Sequence, residues 1–258
     1  MTMPDWVQLS PEHHGGMTWT RYRDYGFTRD LAVVPVALPE MALATLALPL
    51  AFVRDRTWRL VACLGMQPGH NACVSPDGRW RASYVPAALR GHPFRLDRAR
   101  PGQLQVDQSA GLLQDSLQGE PLFAEDGTLS RFLCQVHRFL HKVDVGCAQA
   151  ERLSEQLAAA GLLKPCAHPD LDPGLGLHQV DEGAWNGLPD DSFLKLRHSG
   201  AMPLVYAQLV SQGNMARLSG WRAQQSESTA AAGESQGYYM EQEPELEWVS
   251  REGRDQHE

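Results

Sequence analysis

The chain has 258 residues, 43% of them apolar and 21% charged, with a net charge of −8. Such a length suits one or two domains, and the balance excludes collagenous, coiled-coil and wholly disordered classes. The charge is uneven: residues 222–258 set nine acidic groups against three arginines and carry −6, leaving −2 on residues 1–221. A near-neutral body lacks the massed Lys and Arg that non-specific nucleic-acid binding requires, so no nucleic-acid partner is expected.

The first residues, MTMPDWVQLSPEHH, have neither a basic start nor an apolar run, so no export signal is expected there. The five cysteines (Cys63, Cys73, Cys134, Cys147, Cys166) form no C-x-x-C pair. An odd count without an export signal predicts free thiols and a cytoplasmic protein. A Cys63–Cys73 disulfide is the alternative.

Leu31–Val53 is the one membrane-like stretch, close to the ~20 residues a span needs. Pro35, Pro39 and Pro49 divide it, and Glu40 stands in its middle. A lone carboxylate at the bilayer centre costs at least ~2.5 kcal/mol. The stretch therefore reads as a buried strand, Leu31–Leu38, and a short buried helix, Met41–Leu48. Pro39 suits the first helical turn, Glu40 complements its positive dipole end, and Pro49 ends it.

Trp58–Met66 is predicted as a strand, with Asn71–Val74 returning after a turn. Pro76-Asp77-Gly78 is a strong turn signal, and Trp80–Val85 follows as the next strand. Residues 93–97 and 103–107 add short strands, and the tight turns favour antiparallel pairing.

From Leu129 to Ala160 the period becomes helical. Phe132, Val136, Phe139, Leu140, Val143, Cys147 and Ala150 share one face, and Gly161 closes the helix. Asp126-Gly127 with Thr128 is read as its turn and N-cap. Residues 168–178 are read as a connector, Asp190–His198 as a short helix ending at Gly200, and Pro203–Leu218 as another. The class is α+β: a single domain over 1–221, its antiparallel sheet packed by the long helix and the C-terminal helices. Residues 222–258 form an acidic tail expected to be disordered.

Several phrases align with one family. They are Leu64-Gly65-Met66 running to Gly69-His70-Asn71, Asp77-Gly78-Arg79-Trp80, Tyr84-Val85-Pro86-Ala87-Ala88-Leu89-Arg90, and Pro93-Phe94. Gly161-Leu162-Leu163, Val180-Asp181-Glu182 and Leu204-Val205-Tyr206-Ala207 come later. Over residues 31–219 the chain resembles the SapC family of bacterial proteins, named for a link to surface-layer protein secretion. The resemblance implies an accessory role in surface transport or in modification of a substrate, with a protein partner in that transport. The membrane permease of the same name is a different protein, since this chain has no array of spans.

Residues 54–100 hold nine Arg against three Asp, a local +6. His70, Asn71, Asp77, Trp80, Tyr84, Arg90 and His92 lie there and are the candidate ligand-binding residues. On one reading, Arg forks with Trp and Tyr clamp a carboxylate or phosphate on a small anionic ligand or a peptide end. On the other, Asn71 and Asp77 satisfy turn backbone, Arg90 pairs with a core carboxylate such as Glu40, and Trp80 and Tyr84 fill the core. An enzyme acting through Asn71–Phe94, with His70 or His92 as base, is the alternative function. A structural oligomer subunit is the third, and it would present an apolar interface.

His137, His141 and Asp144 have ligand-like spacing on the long helix but lie toward its solvated flank, without the Glu of H-E-x-x-H. No metal is expected. Gly174-Leu175-Gly176 lacks a third glycine and a following helix, and no Ser sits in G-x-S-x-G, so no cofactor is expected either. His13-His14 is expected to be exposed. Among the thiols, Cys166, beside His168, is the one singled out for titration.

Overall fold

The computed structural model describes residues 4–231, apart from 98, 116 and 117, with side chains described to Gln225. Short elements come first: β1 (Trp6–Gln8), α1 (Pro11–His14), β2 (Thr18–Trp19) and β3 (Val33–Pro35). A 3₁₀ turn at Leu38–Glu40 leads into α2 (Met41–Ala47). A hairpin follows, β4 (Leu50–Asp55) and β5 (Thr57–Cys63), turned by Arg56 at φ 53°. Then come α3 (Ala87–Arg90), β6 (Phe94–Leu96), β7 (Leu104–Asp107), β8 (Leu113–Gln114) and β9 (Glu120–Pro121). The second half holds α4 (Arg131–Ala159), β10 (Leu163–Pro165), β11 (Leu177–Val180), α5 (Glu182–Asn186), α6 (Asp190–Ser199), α7 (Met202–Ser211) and α8 (Met215–Ala231).

The architecture is α+β and antiparallel throughout, as expected, but its strands divide into three sheets. The main one has the order β10-β11-β4-β5-β3, and two small ones run β1-β7-β6 and β8-β2-β9. The register in the main hairpin pairs Phe52 with Leu60 and Ala51 with Val61. α4 lies against β5 and β6, and α7 lies against β4, β11 and α2. Phe52, Leu60, Leu133, Leu157, Leu204 and Leu218 are fully buried between these layers. Each such side chain contributes about 1.5–3 kcal/mol of transfer free energy.

Gly146 explains how α4 comes so close. A Cβ there would stand 2.8 Å from both Ala37 Cβ and Pro39 Cδ, so the helix presses directly on the turn that carries Glu40. Gly65 has a similar role under the loop that follows: a Cβ there would collide with the His70 carbonyl.

Several expectations are corrected. Leu31–Leu38 contracts to the three residues of β3, an edge strand that ends at Pro35. Proline has no N–H for a ladder, so the edge tolerates it. Leu50–Asp55 forms a strand where the sequence pattern predicts no element. Trp80–Val85 is not a strand, since only the single bridge Val74–Trp80 forms there. The cap of α4 is Ser130, whose Oγ accepts from Leu133 N at 3.1 Å, while Asp126 caps only its own turn through Thr128 N. The connector 168–178 gives up its last two residues to β11. The helix from Pro203 breaks at Gln212–Asn214 and resumes as α8, past the 221/222 boundary suggested by composition. Residues 232–258, the rest of the expected tail, lie outside the described residues. His14 is buried, against expectation, with Nδ1 within 3.2 Å of Ser10 O. All five cysteines are free thiols. Among the described residues no helix is long and apolar enough to cross a membrane.

Candidate functional site

Glu40 is 7% exposed and organises the centre of the molecule. Its Oε1 accepts from Ala37 N at 2.9 Å, which closes the 3₁₀ turn. Its Oε2 accepts from Ala87 N and from Tyr84 Oη, both at 2.7 Å. Pro86 and the single turn of α3 bring Ala87 N and Arg90 to the same place. Arg90 Nη2 donates to Tyr84 Oη at 2.8 Å and stands 3.9 Å from Glu40 Oε2. Tyr84 is therefore a relay between guanidinium and carboxylate. Burial and the Glu40 charge push its pKa well above the ordinary phenol range, so it remains a donor. The Arg90 guanidinium also lies over two rings, 5.4 Å from the Tyr84 centroid and 5.8 Å from that of Phe139 on α4.

An aromatic group adjoins this network. Trp80 Nε1 donates to Tyr84 O at 2.9 Å, and its ring lies 5.4 Å from Tyr25. The His92 ring stacks on Phe27 at 3.9 Å and 7°, and meets Tyr22 at 5.9 Å. Burial pushes His92 down to about 4, with the Asp107 carboxylate opposing the shift. Burial likewise raises the pKa of Tyr22 and Tyr25, and the positive charge of Arg90 reaches both.

The structure thus brings Trp80, Tyr84, Arg90 and His92 together. It places His70, Asn71 and Asp77 apart from them. Asn71 is buried, donating to Thr28 O at 3.0 Å and accepting from Cys73 N at 2.8 Å. Asp77 is exposed, bonded to Ser75 Oγ and 3.0 Å from Arg79 Nε, in the turn that its Pro-Asp-Gly context demands. His70 faces Arg222 and Gln225 of α8, and burial followed by the Arg222 charge lowers its pKa. Tyr22, Tyr25, Phe27 and Phe139 were not anticipated. The spacing of Tyr22, Tyr25 and Phe27 in one short irregular segment is the signal that marks them.

Elsewhere, His137 Nε2 lies 2.9 Å from Gly102 O. No grouping of three or more His, Cys, Asp or Glu side chains suited to a metal ion occurs among the described residues. A cavity of about 640 Å³ opens between β10, β11 and α7, with Lys164, His168, Gln179 and Tyr206 in its wall. Cys166 lines it too, and burial pushes that thiol up to about 11, away from thiolate chemistry.

One side chain of the cavity wall, Gln208, bridges two strands. Gln208 Oε1 accepts from Val180 N at 3.0 Å while its Nε2 donates to Leu50 O at 3.2 Å. Ser211 Oγ accepts from Leu50 N at 2.9 Å. The helix supplies hydrogen bonds where β11 and β4 have parted.

No curated protein and no solved structure matches this chain. A family model does: the SapC model spans residues 9–218, from the end of β1 to the start of α8, and so includes Glu40, Tyr84, Arg90 and the cavity wall. On that match the chain belongs to the SapC family.

Proposed function

We propose that this chain is a ligand-binding accessory protein that serves surface transport or the modification of an exported substrate, with Arg90 as its anchor for a small anionic ligand or peptide end. The observation that carries this is the spare capacity of the guanidinium. Glu40 already accepts three hydrogen bonds, and Arg90 spends its hydrogen bond on Tyr84 while pairing with the Glu40 charge at 3.9 Å. Arg90 makes that one hydrogen bond among the described residues and its side chain is 26% exposed; its Nε has no partner but is buried, so an incoming oxyanion meets the terminal nitrogens. Two ring faces hold the fork in place, so an oxyanion meets an oriented donor with little side-chain entropy left to lose. Binding is favoured over turnover because the histidine beside Arg90 is stacked and held at about 4, which makes it a weak base.

The test is calorimetric titration of the full chain with benzoate, acetate and inorganic phosphate. At least one probe should bind, and Arg90→Lys should weaken it by about tenfold or more, since Lys cannot copy the fork. Absence of binding by all three probes, or equal binding by the variant, would overturn the reading. Hydrolysis of p-nitrophenyl phosphate or p-nitrophenyl acetate, with water as nucleophile and p-nitrophenol as leaving group, that is lost in His92→Ala would favour the enzyme reading instead.

A further inference from the structure

The parted ladder between β11 and β4 leaves one backbone group unserved. His178 pairs with Phe52, so Val180 falls opposite Leu50 two residues further along. Gln208 and Ser211 of α7 serve Val180 N, Leu50 O and Leu50 N. The Val180 carbonyl accepts no hydrogen bond among the described residues, although Val180 is 2% exposed. Such a buried acceptor is met by an ordered water or by a donor on a ligand. Val180 belongs to the wall of the cavity of about 640 Å³.

The charges of that wall are matched except for one. Lys164 Nζ donates to Asp181 Oδ1 at 3.0 Å. His168 Nδ1 accepts from Asp170 N at 3.3 Å, which a protonated ring does not do, so the imidazole is neutral. Burial keeps Cys166 a thiol. Glu182 lines the cavity, and its side chain makes no ion pair or hydrogen bond among the described residues. On the helix side, Tyr206, Leu209 and Val210 share one face of α7, and Tyr206 and Val210 are 48% and 67% exposed.

We propose that this cavity binds a primary ammonium group carried on an apolar body, the shared chemistry of a free amine and of the amino end of a peptide. The ammonium supplies both the donor that the Val180 carbonyl lacks and the positive charge that Glu182 lacks. The apolar body rests on Leu209 and Val210, and the Tyr206 ring offers its face to the cation. The volume lies within the ~300–1,000 Å³ of small-molecule sites. No residue of this wall belongs to the Glu40–Arg90 network, so the two sites stand or fall separately.

Calorimetric titration of the full chain with hexylamine, leucinamide and N-acetylleucinamide tests this at about pH 7, where both amines are mostly protonated. At least one amine should bind, and the acetylated control should not. Glu182→Gln should weaken binding by about tenfold or more, and Val210→Lys, which sets an ammonium in the wall, should abolish it. Both positions are exposed, so circular dichroism should be unchanged. Independently of any variant, the bound amine should slow alkylation of Cys166 by iodoacetamide by about threefold or more, with exposed Cys134 unaffected. Tighter binding of leucinamide than of hexylamine assigns a peptide amino end, and the reverse order assigns a free amine. Three results would overturn the proposal: no binding of either amine, equal binding of the acetylated control, or binding that neither variant changes and that leaves Cys166 unprotected.

Discussion

Glu40 shows how much one carboxylate can organise when it is buried with three donors. Replacing it with alanine leaves Ala37 N and Ala87 N without a partner and removes the acceptor of Tyr84. Unmade buried hydrogen bonds of this kind cost about 1–3 kcal/mol each, less where water enters. Glu40→Ala is therefore expected to lower stability by about 3 kcal/mol in urea unfolding, and a loss below about 1 kcal/mol would mean that these donors find other acceptors. Tyr84→Phe isolates the relay: it should cost about 1–2 kcal/mol, because it leaves the Arg90 Nη2 donor and one Glu40 contact unmade. Pro39, Glu40 and the Tyr-x-Pro-x-x-x-Arg phrase were each legible in the sequence. So was the pairing of Arg90 with Glu40, one of the two readings of that segment; what the sequence does not show is that Tyr84 stands between them as a relay and that Gly146 lets α4 press on the turn that carries Glu40. The tertiary approach of a helix to a turn has no local signature.

At the level of elements, the long helix was the easiest to read and the strands the hardest. A period of 3.6 sustained over α4 is a strong signal, and Gly161 at φ 70° stops it where a left-handed residue is needed. Trp80–Val85 alternates like a strand, yet Trp80 turns its indole N–H to the Tyr84 carbonyl. That bond folds the segment back on itself, and side-chain alternation cannot reveal it. β4 was missed because its uninterrupted apolar start, Leu50-Ala51-Phe52, is common to buried strands and buried helices. The clamp from α7 is a second device without a sequence signature. Gln208→Leu keeps most of the volume but strands Val180 N, whereas Leu50 O retains Gln212 Nε2 at 2.8 Å. One orphaned buried donor predicts a loss of about 1–3 kcal/mol in thermal or urea unfolding. A neutral result would show that the gap between β11 and β4 closes when the amide is removed.

The whole molecule should lose stability toward acid in a defined window. His92 is held at about 4 in the fold by burial, against an ordinary value of 6.5. Below 6.5 the unfolded chain takes up a proton that the folded chain refuses. Its contribution is thus fully present above about 6.5 and is lost as pH falls toward about 4. The shift corresponds to about 2–3 kcal/mol after allowance for partial exposure. His14 and His70 are also lowered by burial and act in the same direction. His92→Phe, which can keep the stack on Phe27, should flatten the pH dependence of urea midpoints between about 6.5 and 4. An unchanged slope would place the acid sensitivity elsewhere.

Because a glutamine on α7 completes the main sheet, the helical layer and the strand layer share one hydrogen-bond ladder. The Val180 amide proton is protected only while that helix is docked. Its exchange with deuterated solvent therefore reports an event some distance from the proton itself. It should exchange in step with the α7 amides and much faster in Gln208→Leu, while Gln179, bonded toward β10, is little changed. If Val180 exchanges independently of α7, helix and sheet open as separate units. If they exchange together, undocking of one helix and fraying of one strand are a single cooperative event.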